Sequence, residues 1–222
     1  MNAFILYSAT ALAAYLIGAI PFGFLVARMR GIDIRTVGSR NIGATNVFRA
    51  VGKGWGILTL LLDLAKGWCG AVWVPLLADR LLGGGSPLPA ELRLCGGVCA
   101  VAGHTWPVYL GFRGGKGVAT SAGMLLGVAP QAVGVALAGW IATFLLGRYV
   151  SLASMAAAVI LGVAIWIAPF RPAGGWPTPA VLSLIAVLIL VRHRSNLARL
   201  RAGTETRLSL RRRAPASRGD AP

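Results

Sequence analysis

Apolar runs of bilayer-spanning length follow one another through most of this sequence. The chain has 222 residues, of which 56% are hydrophobic and only 13% are charged. This charge content lies well below the roughly 25% of an ordinary soluble domain. Because hydrocarbon cannot hydrate exposed backbone, runs of this kind fold as helices that pair their own amide groups. The sequence therefore predicts an all-α integral membrane protein.

Seven membrane spans are predicted from these runs, and the distribution of lysine and arginine predicts their orientation. Placing residues 28–53, 104–116, 148 and 192 onward in the cytoplasm collects 18 of the 22 basic residues there. The N-terminus is therefore predicted outside and the C-terminus in the cytoplasm. The predicted spans are residues 3–27, 54–78, 92–109, 117–130, 131–147, 151–168 and 179–195.

Two units are predicted: a membrane domain at residues 1–202 and a basic tail at 203–222. The tail lacks an apolar face, which is typical of a disordered segment. A net charge of +16 would suggest nucleic acid in a soluble protein, but here the cations segregate to one membrane face. Topology explains the charge, so the lipid bilayer is the predicted partner and nucleic acid is not.

The first glycine-rich loop carries hydroxyls, amides and cations beside a predicted span. These groups together can form an oxyanion receptor, with glycines letting the backbone turn toward a bound phosphate. The alternative is a polar loop in which asparagine and glycine only make turns. Arg49 favours function because a guanidinium can chelate two phosphate oxygens. The candidate residues are Gly38, Ser39, Asn41, Gly43, Thr45, Asn46 and Arg49.

A second glycine-rich loop runs from His104 to Gly117 and offers backbone amides beside the Lys116 ammonium. The loop is not a nucleotide-binding Walker A sequence, because Leu110 replaces its first glycine and Gly117 follows Lys116. Lys116 could instead be a topological anchor, and His104 either a general base or a structural histidine. The candidate residues are His104, Gly114, Gly115, Lys116 and Gly117.

Two further polar pairs stand at the ends of predicted spans. Ser151 and Ser154, like His193 and Asn196, are three residues apart, which predicts that each pair shares one helical face. The serines could instead bond neighbouring helices. Within the second span, Asp63 and Lys66 are predicted to neutralise each other as a structural ion pair.

The acidic residues predict neither a metal nor another cofactor. The six carboxylates are scattered along the chain, which argues against a dinuclear site or paired acidic motifs that hold magnesium. Tyr109 and Ala198 stand five residues after the two histidines, so the histidine-aspartate motif of coenzyme-A-dependent acyltransferases is absent.

Four motifs in order resemble the PlsY family of bacterial acyl-phosphate:glycerol-3-phosphate acyltransferases, over about residues 15 to 205. The fold that this resemblance implies has seven helices in the inner membrane, with the active site toward the cytoplasm. One departure is Arg40, where the family usually has glycine. The motifs are Gly38-Ser39-x-Asn41-x-Gly43-Ala44-Thr45-Asn46 with Arg49, Leu62-Asp63-x-x-Lys66-Gly67, Gly103-His104 through Phe112-x-Gly114-Gly115-Lys116-Gly117-Val118-Ala119-Thr120, and His193-x-x-Asn196-x-x-Arg199-Leu200-x-x-Gly203-Thr204-Glu205.

The implied reaction transfers an acyl group from acyl phosphate to glycerol 3-phosphate, giving lysophosphatidic acid and inorganic phosphate. The resemblance makes Ser39, Arg49, Lys116 and Ser154 the catalytic residues, and it places His193 and Asn196 on glycerol 3-phosphate. Thr45 joins the phosphate-handling set, and the remaining candidates in both glycine-rich loops bind substrate. The rival hypotheses are a transporter for a phosphorylated solute and a non-catalytic membrane scaffold.

Overall fold

The computed structural model describes residues 3–82 and 88–208, and within these ranges the regular structure is helical, without strands. One short 3-10 helix, Val108–Leu110, lies within the second glycine-rich loop. The α-helices are α1 Ala3–Ala19, α2 Phe22–Arg28, α3 Ala44–Ala50, α4 Lys53–Ala71, α5 Trp73–Leu81, α6 Ala90–Thr105, α7 Val118–Val128, α8 Pro130–Gly147, α9 Val150–Ala164, α10 Pro177–Arg192 and α11 Arg194–Arg201.

Several of these helices have the length and apolar composition of membrane spans, as expected for an integral membrane protein. Three stretches qualify among the described residues, namely Ala3–Arg28, Lys53–Leu81 and Pro130–Gly147. A fourth is formed if α10 and α11 count together, while α7 and α9 are shorter apolar helices. Each predicted span coincides with one of the described helices or helix pairs, but the count of seven and the orientation stay predictions.

Small residues bring four of the helices into close contact. Gly18 of α1 lies against the backbone of Ala100 in α6, and Gly67 of α4 lies against the backbone of Thr120 in α7. A Cβ atom at either glycine would overlap the facing backbone. Helices in a bilayer associate through packing of this kind, because lipid tails are as apolar as the side chains. These contacts pack α1 against α6 and α4 against α7. The four helices together form the frame of the molecule.

An apolar cluster joins the frame to the second half of the chain. It contains buried side chains from α7, α9 and α10, among them Met124, Leu161 and Leu182. By contrast, α8 packs mainly along α9, and little of its length is buried in the protein. Among the described residues, α8 covers the interhelical space between α7 and α9.

The predicted ion pair joins α4 to the break between α1 and α2. Pro21 cannot donate a backbone hydrogen bond, and the helix is interrupted there. The Ile20 carbonyl accepts a hydrogen bond of 2.8 Å from Lys66 Nζ, which also lies 2.9 Å from Asp63 Oδ1. Both side chains are almost completely buried. The predicted pairing of Asp63 with Lys66 is confirmed, and it also stabilises a helix break.

The last span differs from its prediction. The span predicted at residues 179–195 is continuous, but α10 and α11 are bent by 49° at His193. His193 therefore occupies the bend, while Asn196 lies in the first turn of α11. That His193 and Asn196 share one helical face stays a prediction.

Candidate active site

A polar cavity of about 170 Å³ forms where both glycine-rich loops meet the ends of α9 and α10. Its residues come from positions up to 166 apart in the chain, from Ser39 to Glu205. The bends and short helices described above bring these segments to the same end of the bundle. The polar side chains that line it are Ser39, Asn41, Thr45, Asn46, Arg49, Asp63, His104, Lys116, Trp140, Ser151, Ser154, His193, Asn196, Arg199 and Glu205.

Twelve of the fifteen candidate residues predicted from the sequence line this cavity. Gly38, Gly114 and Gly115 do not. The sequence prediction missed several polar groups, of which Glu205 and Trp140 are the most informative. The twelve are Ser39, Asn41, Gly43, Thr45, Asn46, Arg49, His104, Lys116, Gly117, Ser154, His193 and Asn196.

Asn46 holds the first glycine-rich loop in shape. Its amide nitrogen donates to the carbonyls of Ile34, Val37 and Asn41 at 3.2, 3.1 and 2.9 Å. Its Oδ1 accepts a hydrogen bond from the Ser39 backbone N–H at 3.1 Å. Because these contacts already use both amide hydrogens, Asn46 fixes the position of Ser39 and the loop around it.

Arg40, where the sequence resemblance implies glycine, has a backbone conformation that favours glycine. Its φ is +57°, in the left-handed region that non-glycine residues rarely adopt. The side chain is exposed and does not line the polar cavity. Arg40 therefore carries backbone strain at the protein surface.

The second glycine-rich loop is pressed against the end of α6. A Cβ at Gly114 would overlap the His104 carbonyl, and one at Gly115 would overlap the His104 ring. The Gly115 N–H donates to the His104 carbonyl at 3.1 Å, and Arg192 Nη2 donates to the Gly115 carbonyl at 2.9 Å. Close packing explains these two glycines. Gly117, with φ +80°, makes the turn into α7 and places Lys116 in the cavity.

Lys116 is held by a neutral partner. Its Nζ donates a hydrogen bond to Asn196 Oδ1, which connects the glycine-rich loop to α11. Burial, reinforced by the neighbouring Arg199 guanidinium, lowers the pKa of Lys116 to about 8. A half-buried ammonium without a carboxylate partner is stabilised when an anion binds beside it.

Arg49 resembles Lys116 in its surroundings. The guanidinium of this surface-exposed residue donates from Nη2 to the Thr206 backbone carbonyl at 2.8 Å. Desolvation by the surrounding protein lowers the pKa of Arg49, but a guanidinium stays charged at all physiological pH values. Among the described residues, neither Arg49 nor Lys116 forms an ion pair with a carboxylate. Their charges are therefore available to a bound phosphate.

Glu205 connects three segments around the cavity. Its carboxylate accepts hydrogen bonds of 2.7 Å from Ser151 Oγ, Asn196 Nδ2 and Arg199 Nε. Burial alone would raise the pKa of Glu205, but these three bonds outweigh it and lower the pKa. The amide of Asn196 thus bridges this carboxylate and Lys116.

Glu205 belongs to the tail predicted at residues 203–222, yet it is buried. The sequence feature that could have indicated a role for Glu205 was its position as one carboxylate among arginines, at the end of the fourth motif. The Leu208 N–H donates to the Arg148 carbonyl at 2.8 Å, so the first part of this tail lies on the domain. Residues 209–222 lie outside the described ranges. The boundary at 203 stays a prediction.

Both histidines line the cavity, but they have different partners. His193 Nδ1 lies 2.8 Å from the Ile189 carbonyl, which can only accept, so Nδ1 carries a proton and the neutral ring keeps a lone pair on Nε2. His104 Nδ1 lies 3.5 Å from Asp63 Oδ1. The five-residue histidine-aspartate motif is absent from the sequence, and here a histidine and an aspartate approach each other from two different helices.

An apolar cavity of about 120 Å³ adjoins the polar one. It lies between α7, α8, α9 and the end of α10, and among its lining residues are Leu125, Leu137 and Leu161. Val118, Trp140 and Ser154 line both cavities. Together the two spaces suit an amphipathic ligand with an anionic head and an apolar chain.

Comparisons with known proteins agree on one family. The sequence model of the glycerol-3-phosphate acyltransferase family matches residues 8–203. The enzyme of that name from Geobacter sulfurreducens is 45% identical over 194 residues, covering 87% of this chain and 93% of that protein. The enzyme from Aquifex aeolicus is 40% identical over 196 residues, covering 87% and 95%.

Solved structures give the same result. The crystal structure of PlsY, an integral membrane glycerol 3-phosphate acyltransferase, in its glycerol 3-phosphate form has a TM-score of 0.79 and 38% sequence identity. The similarity covers 91% of this chain and 96% of that chain. The lysophosphatidic acid form of PlsY has a TM-score of 0.75 and 36% identity, covering 91% and 95%.

Proposed function

This chain belongs to the glycerol-3-phosphate acyltransferase family, and we propose that its acyl donor is an acyl phosphate. The acceptor is the 1-hydroxyl of sn-glycerol 3-phosphate, and the products are 1-acylglycerol 3-phosphate and inorganic phosphate. This is the first acylation of bacterial phospholipid synthesis. The observation that carries the proposal is the pair of cations, Arg49 and Lys116, that face a polar cavity without carboxylate partners.

The shape of the site supports an acyl phosphate. Both substrates carry phosphate, and the two cations with the Ser39 and Thr45 hydroxyls supply charge and donors for it. A fatty acyl chain needs an apolar space next to the reacting carbonyl, and the adjoining cavity between α7, α8 and α9 supplies it. Neither glycine-rich loop has the pattern of a nucleotide-binding site, which argues against coenzyme A as carrier.

The reaction requires alignment and charge stabilisation more than a covalent intermediate, because acyl phosphate is already an activated mixed anhydride. The hydroxyl oxygen of glycerol 3-phosphate attacks the acyl carbonyl carbon and forms the ester bond. The bond from that carbon to the phosphate oxygen breaks, and phosphate leaves with the electron pair. Lys116 and Arg49 stabilise the departing charge, while an oxygen of a substrate phosphate takes the hydroxyl proton.

We assign the acceptor to the side of the cavity formed by His193 and Asn196. In the neutral form of His193, Nε2 is a hydrogen-bond acceptor for a glycerol hydroxyl. Asn196 is held between Glu205 and Lys116, so its orientation is fixed before substrate binds. Ser39 contacts the donor phosphate, and Ser154 does so once its hydroxyl turns away from the Val150 carbonyl. We further propose seven spans in the bacterial inner membrane, with this site toward the cytoplasm and the N-terminus outside.

One assay tests the proposed function. Purified protein is supplied with palmitoyl phosphate, and release of inorganic phosphate is measured with and without glycerol 3-phosphate. We expect release that depends on glycerol 3-phosphate and formation of lysophosphatidic acid in equal amount. A transporter of a phosphorylated solute would leave palmitoyl phosphate intact. Palmitoyl-coenzyme A is the matched control, and comparable rates with both donors would overturn the assignment of acyl phosphate.

A further inference from the structure

Trp140 stands at the boundary between the polar and apolar cavities. It lines both, and among the described residues it is the only part of α8 that reaches the polar cavity. Its ring stacks on Phe144 with centroids 5.1 Å apart and an interplanar angle of 17°. This contact within α8 fixes the orientation of an aromatic residue that has an apolar body and one polar donor.

The indole N–H has only a weak partner within the protein. Trp140 Nε1 donates to Ser154 Oγ over 3.3 Å, beyond the usual range of about 2.7–3.2 Å for such bonds. Ser154 already donates its own proton to the Val150 carbonyl at 2.8 Å. Val118, the third residue shared by both cavities, has no polar side-chain atom. Among the side chains shared by both cavities, the indole N–H is therefore the hydrogen-bond donor that a ligand can engage most readily.

We propose that Trp140 positions the acyl donor at this boundary. The proposal rests on the function proposed above, in which the donor is an acyl phosphate. An acyl phosphate in the two cavities has its carbonyl at their junction, since the phosphate lies on the polar side and the alkyl chain on the apolar side. The Trp140 N–H donates to an oxygen of the acyl phosphate linkage, and the ring packs against the first methylene groups of the chain.

The test is Trp140→Phe, which keeps an aromatic ring and removes the N–H. We expect the KM for palmitoyl phosphate to rise about threefold to tenfold, the range for loss of a neutral hydrogen bond. The KM for glycerol 3-phosphate should change less than twofold. Trp140→Leu lacks both the donor and the ring, so an increase at least as large is expected in this second variant.

A matched control exists elsewhere in the fold. Trp166 Nε1 donates to Ser183 Oγ at 3.0 Å, and Ser183 donates to the Pro179 carbonyl at 2.9 Å. This is the same sequence of bonds, away from both cavities. Trp166→Phe should therefore leave both KM values unchanged. Equal increases in the Trp140 and Trp166 variants, or no increase in either Trp140 variant, would overturn the proposal.

Fluorescence separates the role of Trp140 from turnover. Palmitoyl phosphate added without glycerol 3-phosphate should change the tryptophan emission of the wild type and of Trp166→Phe, and leave Trp140→Phe unchanged. A full response in Trp140→Phe would contradict the placement of the donor. If the wild type shows the Trp140-dependent response but no phosphate release that depends on glycerol 3-phosphate, the proposed function fails and the binding role stands.

Discussion

Two lysines, one buried and one half-buried, have different electrostatic surroundings. Lys66, in the middle of α4, contacts the Asp63 carboxylate and the Ile20 carbonyl. Lys116, at the polar cavity, donates to the neutral Asn196 amide oxygen and forms no ion pair with a carboxylate among the described residues. Each lies next to a glycine that packs against a neighbouring helix, Gly67 beside Lys66 and Gly115 beside Lys116. Each also belongs to one of the four sequence motifs. The difference between them is the charge of the partner.

That difference separates a structural role for Lys66 from a catalytic role for Lys116. A buried ammonium paired with a carboxylate is already neutralised, so its removal leaves the carboxylate uncompensated. A half-buried ammonium without such a partner, such as Lys116, remains available to an anion, and part of its desolvation cost is recovered only when that anion binds. We therefore expect loss of Lys66 to reduce folding stability first and loss of Lys116 to reduce turnover first.

The largest effect is expected at Lys66. Lys66→Met should lower the free energy of unfolding by about 3–5 kcal/mol, the cost of breaking a buried pair by removing one partner. The measurement is an unfolding titration in mixed detergent micelles. The double variant Asp63→Asn with Lys66→Met, which removes both charges, should recover most of the loss. A single variant as stable as the wild type would show that the pair has no structural role.

Turnover should fall most at the two cations of the cavity. Lys116→Ala and Arg49→Ala should each reduce kcat/KM about a hundredfold or more, which corresponds to roughly 2.7–4 kcal/mol of lost charge stabilisation. Both proteins should elute from size-exclusion chromatography as the wild type does. Near-normal turnover in either variant would show that this residue has no role in the mechanism. For Lys116, it would also contradict the proposed difference from Lys66.

The pKa of Lys116 predicts the pH dependence. Because this pKa is lowered to about 8 from the ordinary lysine value, the charged form predominates below pH 8 and is lost as the pH rises through it. The profile of kcat/KM, which reports the free enzyme, should therefore fall above about pH 8. Lys116→Arg should be slow, because a planar guanidinium replaces the compact ammonium group. Its residual activity should lack this alkaline decline, because a guanidinium stays charged. A decline of unchanged position in Lys116→Arg would assign it to another group.

The smallest effect concerns the strained turn of the first loop. Arg40→Gly should raise the free energy of unfolding by about 0.5–1 kcal/mol, because glycine adopts the left-handed conformation without a Cβ clash. Activity should stay within twofold, since Arg40 lies outside the cavity. Arg40→Ala, which removes the charge but keeps the Cβ, should give no such gain. A large loss of activity in both variants would instead give the guanidinium a role in substrate binding.

The sequence predicted the helical membrane fold and most residues of the cavity wall. It succeeded at the loops because glycines, hydroxyls and cations beside apolar runs have few stable roles within a membrane. It did not distinguish Asn46, whose amide is used by the loop itself, from Ser39, whose position that amide fixes. Both residue types suit a phosphate site, and only their hydrogen bonds tell them apart.

The sequence by itself determined whether each segment suits lipid or water. Apolar composition determines which runs can enter lipid, and charge determines which loops cannot. What only the tertiary structure decided was which polar groups meet. The 49° bend at His193 brings Asn196 to Lys116, and the buried Glu205 joins them from a segment predicted to be tail. The physical reason is the sequence separation of the residues involved. Hydropathy depends on residues that are neighbours in the sequence, whereas the partner of a buried charge can come from anywhere along the chain.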